Sequence, residues 1–277
     1  MARPAALDLC RPATDLSAGI DVSVPSIARI YDYMLGGKEN YESDRTAARG
    51  LFRALPEAAL PARENRAFLR RAVRYLVAEA GIRQILDLGS GLPTDDNVHE
   101  VAQAIDPTVR VVYVDIDPGV LAHGRALLGR SPLTSVVTGD VRKPDAVLAD
   151  PNVLELLDPT QPFAILLAGV LHHLPDDDDP VGIVDALVAR LPSDGYLLIS
   201  NFLGGDHPQA GELEEAFRYN RISAARFRTW SEQRRFFAGL DLVEPGLAYV
   251  NDWRPDARTP ADSAVHTLHV AGVGRKP

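Results

Sequence analysis

The sequence predicts an α/β fold, a largely parallel sheet with helices on both faces, preceded by an all-helical N-terminal stretch. Three observations predict it. Apolar residues between 25 and 80 recur only at helical spacing. From Arg83 onward, short β-type runs alternate with helical stretches, the texture of a helix-covered parallel sheet. Four successive runs also end in glycine, small or acidic residues, where a parallel sheet opens its ligand crevice.

Residues 1–24 mix Ala, Pro, Asp and Ser without periodicity and read as a flexible tail. Order begins at Pro25, a residue suited to a first helical turn. Ile27, Ile30, Tyr31 and Met34 share a helix face, and Gly36-Gly37 ends that helix. A second short helix carries Ala47, Ala48, Leu51 and Phe52. A longer one carries Phe68, Leu69, Ala72, Val73, Leu76 and Val77, with Gly81 as terminator. Strands follow at 84–88, 110–114, 135–138, 163–168, 196–200, 242–250 and 266–272. Helices between them are marked by Val98/Val101/Ala102/Ile105, by Val120/Leu121/Gly124 and by Ile183/Val184/Leu187/Val188/Leu191. Between the last two strands lies only the Pro- and Asp-rich stretch 251–263, so the final strand is expected to be antiparallel.

The chain has 277 residues, 46% hydrophobic and 24% charged, enough for one large domain or one with an elaborated terminus. Without low-complexity tracts it is not disordered, collagen-like or coiled-coil. Twenty-nine basic against 38 acidic residues give −9, which argues against sequence-independent nucleic-acid binding. Cys10 is the single cysteine, so no intrachain disulfide and no thiolate metal cage is expected. The N-terminus shows no apolar signal segment. The longest apolar run, 163–171, is about half the ~20 residues of a membrane helix. The expected setting is cytoplasmic, away from membranes.

The first strand runs into Asp87-Leu88-Gly89-Ser90-Gly91-Leu92-Pro93-Thr94. Glycines there let the backbone approach a nucleotide-like ligand, but a dinucleotide fingerprint would want Gly or Ala in place of Thr94. The second strand delivers Asp115-Ile116-Asp117-Pro118, and a carboxylate at that end can accept both hydroxyls of a ribose. Asp115 is favoured over Asp117 because it continues the strand. The third delivers Thr138-Gly139-Asp140-Val141, whose Asp140 can accept from an adenine amine. The fourth gives Ala168-Gly169-Val170-Leu171-His172-His173-Leu174.

With LDLGSG, VDID, TGD and LHHLPD in this order, the sequence resembles the class I S-adenosylmethionine-dependent methyltransferases. More narrowly, it is similar to a bacterial S-adenosyl methyltransferase family once catalogued as a domain of unknown function. That likeness rests on PSIARIYDYMLGGKENYESDRTAA at 25–48, ENRAFLRRAVRYL at 64–76 and GLPTDDNVHEVA at 91–102. It covers essentially everything after residue 24. It implies a Rossmann-like seven-stranded sheet in the order 3-2-1-4-5-7-6 with the last strand antiparallel. It also implies S-adenosyl-L-methionine as cofactor, and the helical stretch at 25–80 is expected to cap a domain at 81–277. Gly89 and Gly91 would face the methionine part, Asp115 the ribose and Asp140 the adenine end. Asp87, Ser90, Ile116, Gly139, Val141 and Ala168 on the same strand ends join the expected site. The class often has a third Gly where Pro93 stands, so the loop near the methionine carboxylate is expected to follow its own path.

Other candidates have two readings each. Tyr31 shares the apolar helix face and reads as core, whereas Tyr33 and Tyr41 lie off it; Tyr33 is either scaffold or a ring over the sulfonium. Gly36, Gly37 and Asn40 are either a helix stop or part of a cofactor lid. Arg63, Arg66, Arg70 and Arg74 share one helix face, expected to be solvated and paired with Glu57, Glu64 or Glu79. Arg66 has a second reading, a bidentate hold on the cofactor's carboxylate. His172 and His173, on a segment read as extended, would point opposite ways; no metal site is expected, either is a candidate general base, and Tyr33 stands with them as a catalytic candidate. His99 and His123 read as structural. Ser90 lacks the outer glycines of a nucleophile elbow, which argues against hydrolase chemistry.

The leading function is methyl transfer to a small-molecule acceptor by in-line displacement at the sulfonium methyl, driven by positioning rather than by a fixed triad. The alternative is a non-catalytic S-adenosylmethionine-binding regulatory protein. A nicotinamide dehydrogenase is disfavoured by the missing glycine.

Overall fold

The computed structural model describes residues 20–94, 96–128 and 131–277. Cys10 and most of the expected 1–24 tail lie outside the described residues.

Three helices come first: α1 (Ile27–Leu35), α2 (Glu42–Ala54) and α3 (Ala59–Ala78). Ser26, extended, is the N-cap of α1, and its hydroxyl accepts from the Arg29 amide. Pro25 therefore stands just before the helix rather than in its first turn. Gly36, at φ 86°, ends α1 in the left-handed region. The α1–α2 junction is built on Asp44, fully buried, which accepts from Ser26 N (2.9 Å), Tyr41 N (2.8 Å) and Arg29 Nε (2.8 Å).

The sheet strands are β1 (Gln84–Leu88), β2 (Arg110–Asp115), β3 (Thr134–Thr138), β4 (Ala164–Ala168), β5 (Tyr196–Phe202), β6 (Asp241–Leu242), β7 (Ala248–Tyr249) and β8 (His269–Arg275). Their order is β3-β2-β1-β4-β5-β8-β6, with β7 also on β8. The first five run parallel, and β8 is antiparallel to β5. This is the expected order with one change: the strand read at 242–250 is two short pieces. Pro245 has no amide to donate, and Gly246 at φ 93° turns back to bond Val243 O at 2.7 Å. Residues 266–268 form a 3₁₀ turn, so the final strand starts later than expected, at His269.

The remaining helices are α4 (Val98–Gln103), α5 (Pro118–Leu128), α6 (Pro144–Leu148), α7 (Pro151–Leu154), α8 (Pro180–Arg190), α9 (Ala210–Tyr219) and α10 (Trp230–Arg235). Alternation along the strands feeds two cores. Ile85, Val111, Leu166 and Leu198 face Phe68, Leu69, Ala72 and Leu76 of α3. Leu86, Val112, Ile165 and Leu197 face Ile183, Val184 and Leu187 of α8. A third cluster joins α1 and α2 to α9 through Ile30, Met34, Leu51, Leu213 and Phe217. The N-terminal helices thus pack beside the strand ends, and the segment after β5 supplies α9 against them.

Candidate functional site

A cavity of about 530 Å³ opens where β1 to β4 end, walled on the other side by α1 and α3. Its floor is the loop after β1. Gly89 sits at φ +70° and Gly91 at φ +68°, a region that side-chain-bearing residues rarely adopt. Gly89 N donates to Val114 O (2.8 Å), and a Cβ on Gly89 would fall 2.7 Å from Val170 Cγ2. The loop is therefore bare backbone pressed between two strand ends.

Asp115, 8% exposed, fixes that loop: Oδ2 accepts from Gly91 N and Oδ1 from Asp117 N, each at 2.9 Å. Burial raises its carboxyl above the ordinary value, while these amides pull it back. Each oxygen keeps a further lone pair. Asp117 also lines the cavity, but its carboxylate is engaged by Gly119 N (2.7 Å) and by the Ser26 hydroxyl, tying α1 to the start of α5. At the next strand end, Gly139 N donates to Asp115 O (3.0 Å). A Cβ there would lie 2.5 Å from Val114 Cγ1 and 2.9 Å from Val147 Cγ2, so packing alone keeps the position glycine. Asp140 accepts from Arg142 at Nε (2.9 Å) and Nη2 (2.8 Å), and this guanidinium holds its carboxyl below the usual range.

Asp87, 4% exposed, is pushed up to about 7 by burial; Arg66 opposes the rise and Asp115 adds to it. Arg66 donates to the Thr94 hydroxyl and to Asp96 O, which places it over the loop after β1. Arg70 pairs with Asp96 at 2.9 Å rather than with an acid of its own helix, and Arg63 and Arg74 are exposed.

Of the expected residues, Asp87, Gly89, Ser90, Gly91, Asp115, Ile116, Gly139, Asp140, Val141, Ala168, Arg66 and His173 line this one cavity. Tyr33, Gly36, Asn40 and His172 lie outside its lining. The reasons are local. Tyr33 packs against the α1–α2–α9 cluster. Gly36-Gly37 folds the chain around Asp32, which accepts from Glu39 N (2.9 Å) and Asn40 Nδ2 (3.0 Å). His172, 3% exposed, is packed 4.7 Å from the Phe202 ring, and burial depresses its pKa well below that of a free imidazole. The two histidine rings do not diverge. Residues 171–173 form a 3₁₀ turn rather than an extended segment, and the centroids are 4.2 Å apart. His99 is structural, with its ring nitrogen 2.9 Å from the Tyr113 hydroxyl. Among the described residues no group of three or more His, Cys, Asp or Glu comes together as a metal site.

The cavity also holds residues that sequence reasoning did not assign to a site, Ser26, Asn65, Gly169 and Ile222, and Tyr31, expected as core, lines it as well. Asn65 carried a readable signal. It sits three, four and seven positions before Phe68, Leu69 and Ala72, a polar side chain on an apolar helix face.

A family model described as S-adenosyl methyltransferase matches residues 13–277. The chain belongs to the S-adenosyl methyltransferase family. A Thermobifida fusca protein provisionally assigned as a methyltransferase is 45% identical, with TM-score 0.89, covering 95% of this chain and 99% of its own. A DUF574 family protein from Streptomyces avermitilis is 40% identical, with TM-score 0.88 and coverage of 93% and 99%. No curated protein sequence matches. The protein is accordingly a methyltransferase that uses S-adenosyl-L-methionine. No helix among the described residues of this family member is long and apolar enough to cross a membrane.

Proposed function

We propose that this methyltransferase holds S-adenosyl-L-methionine in the strand-end cavity and methylates a small molecule there. The observation that carries the reading is the convergence of the Gly89–Gly91 bend, Asp115 and Asp140 on one cavity of about 530 Å³, a size typical of small-ligand sites. The donor set suits the cofactor. Asp115 offers its remaining lone pairs to the ribose, and Asp140 with Gly139 and Val141 takes the adenine end. Ile116, apolar and 57% exposed at the rim, covers the base. Asp87, Gly89, Ser90, Gly91, Ala168 and Arg66 surround the methionine part, with Arg66 set for its carboxylate.

When bound, the cofactor supplies an activated methyl group on a positively charged sulfur. The chain's part is to hold an acceptor in line with that carbon and to exclude water. Residues 25–80 serve as the cap in this reading, since α1 and α3 form the wall opposite the strand ends, and 81–277 is the cofactor domain. The cavity walls and the net charge of −9 both favour a small molecule over nucleic acid.

Calorimetric titration of S-adenosyl-L-methionine into wild type and Asp115→Ala tests the site. The variant is expected to bind at least about tenfold more weakly, ~1.4 kcal/mol. Equal affinities would remove Asp115 from the site, and a wild type that does not bind would discard the reading.

A further inference from the structure

The cavity has two chemically different ends. Its charged lining residues gather at the strand-end rim and at the start of α1: Asp87, Asp115, Asp117, Asp140 and Arg142 at the former, Asp21 and Arg29 at the latter, with Arg66 of α3 over the loop after β1. The opposite end is bounded by Tyr31, Asn65, Val170, His173, Leu174 and Ile222. Its polar groups are tied together without a formal charge. The Tyr31 hydroxyl donates to Ala62 O (3.0 Å) and accepts from Asn65 Nδ2 (3.3 Å), and Asn65 Oδ1 accepts from Ser200 Oγ (2.6 Å). Burial raises the Tyr31 phenol above its ordinary value and lowers His173 to about 4, so both are neutral at physiological pH. Arg66, whose charge reaches Tyr31, is turned to Thr94 and Asp96.

His173 carries a ring nitrogen at this end with no partner among the described residues. Its Nδ1 lies 2.9 Å from Ser223 Oγ. Nε2 has no partner among the described residues and is not one of the sealed, unpartnered buried atoms, so it keeps solvent access on a residue that lines the cavity. If the ring proton sits on Nδ1 and is donated to Ser223, Nε2 presents a lone pair. The groups packed nearby leave that lone pair alone. His172 and His269 are held neutral by burial, and Asp176 pairs with Arg226 and Arg228.

We propose that this end is the acceptor subsite, that it takes an uncharged, largely apolar molecule through one hydroxyl group, and that His173 Nε2 receives the hydroxyl proton. This rests on the cofactor lying at the strand-end rim. In the transfer, the acceptor's oxygen–methyl bond forms as the methyl–sulfur bond breaks. The bonding pair leaves with sulfur as a neutral thioether, and the proton passes from oxygen to Nε2 and then to solvent. The oxygen becomes strongly acidic as it takes up the methyl, so a weakly basic imidazole suffices.

The test uses 2-naphthol, 2-naphthoate and 2-naphthylmethylammonium, titrated into the full chain saturated with S-adenosyl-L-homocysteine. Wild type is expected to bind 2-naphthol at least tenfold more tightly than either charged analogue. His173→Gln is expected to lose at least tenfold of that affinity and about 100-fold or more of methyl transfer to 2-naphthol, the usual scale of a lost acid–base group. Its affinity for S-adenosyl-L-homocysteine should stay within twofold. ¹⁵N NMR of the wild-type ring should show the proton on Nδ1 from pH 8 to pH 5, and Ser223→Ala should spread it over both nitrogens, a readout that survives if His173→Gln does not fold. A charged analogue binding as tightly, no binding of 2-naphthol, or a proton resident on Nε2 would each overturn the proposal. Failure of wild type to bind S-adenosyl-L-homocysteine would instead sink the cofactor site on which it rests.

Discussion

Asp87 sits at the end of β1 with a carboxyl that burial raises to about 7, against an ordinary value of 3.8. Such a group prefers to be protonated in the folded chain. Between the two values the native state binds more protons than the unfolded state, so stability falls as pH rises. Its stabilising effect is complete below about 4 and gone above about 7. Chemical denaturation between pH 5 and 7 should show a component of at most about 1.4 kcal/mol per pH unit that disappears in Asp87→Asn. A variant with the same pH slope as wild type would mean that Asp87 is ionised throughout. Arg66 opposes the shift, so Arg66→Met should move the loss of stability to higher pH.

Helix α1 is held to α2 by an ion pair taken out of water. Arg29 and Asp44 meet at 2.8 Å with side-chain exposures of 7% and 0%. Removing one partner strands the other charge, so Asp44→Ala should destabilise the chain by about 3–5 kcal/mol in urea titration. The double change Arg29→Met with Asp44→Leu should recover much of that, because no uncompensated charge remains. This pair was invisible in the sequence, since charges fifteen positions apart acquire a meaning only when a turn brings them together. What was legible had a period behind it. Phe68, Leu69, Ala72 and Leu76 mark α3 by spacing, and the runs ending at Leu88, Val114, Thr138 and Ala168 announce parallel strands and the crevice at their ends. The strand at 242–250 was overread because its apolar run continues through Pro245, where the ladder does not. Tyr33 and Asn40 drew notice as polar groups beside a glycine pair, yet Asp32 folds that segment onto itself, away from the cavity. His172 and His173 were judged as an extended pair, and a 3₁₀ turn reverses the geometry on which that judgement rested.

The cavity is a joint product of the N-terminal helices and the sheet, because α1 and α3 supply one wall and four strand ends the other. A ligand there contacts both parts and should stabilise them as a unit. At 100 times its Kd, S-adenosyl-L-methionine should add about 2.7 kcal/mol, which for a chain of this size is a rise in Tm of about 5 °C. Differential scanning fluorimetry should find that rise in wild type and at most about half of it in Asp115→Ala at the same cofactor concentration. Equal rises in the two proteins would place the ligand elsewhere.

Gly139 bears on how this fold could have changed over its history. Its φ lies outside the left-handed region, so apart from proline, which lacks the N–H bonded to Asp115 O, only Val114 and Val147 forbid a side chain there. A lineage could replace it only after both valines had been trimmed, and the new side chain would then bar either valine from returning before glycine did. The sequence of events at these three positions, rather than the merit of any one substitution, governs which descendants are reachable.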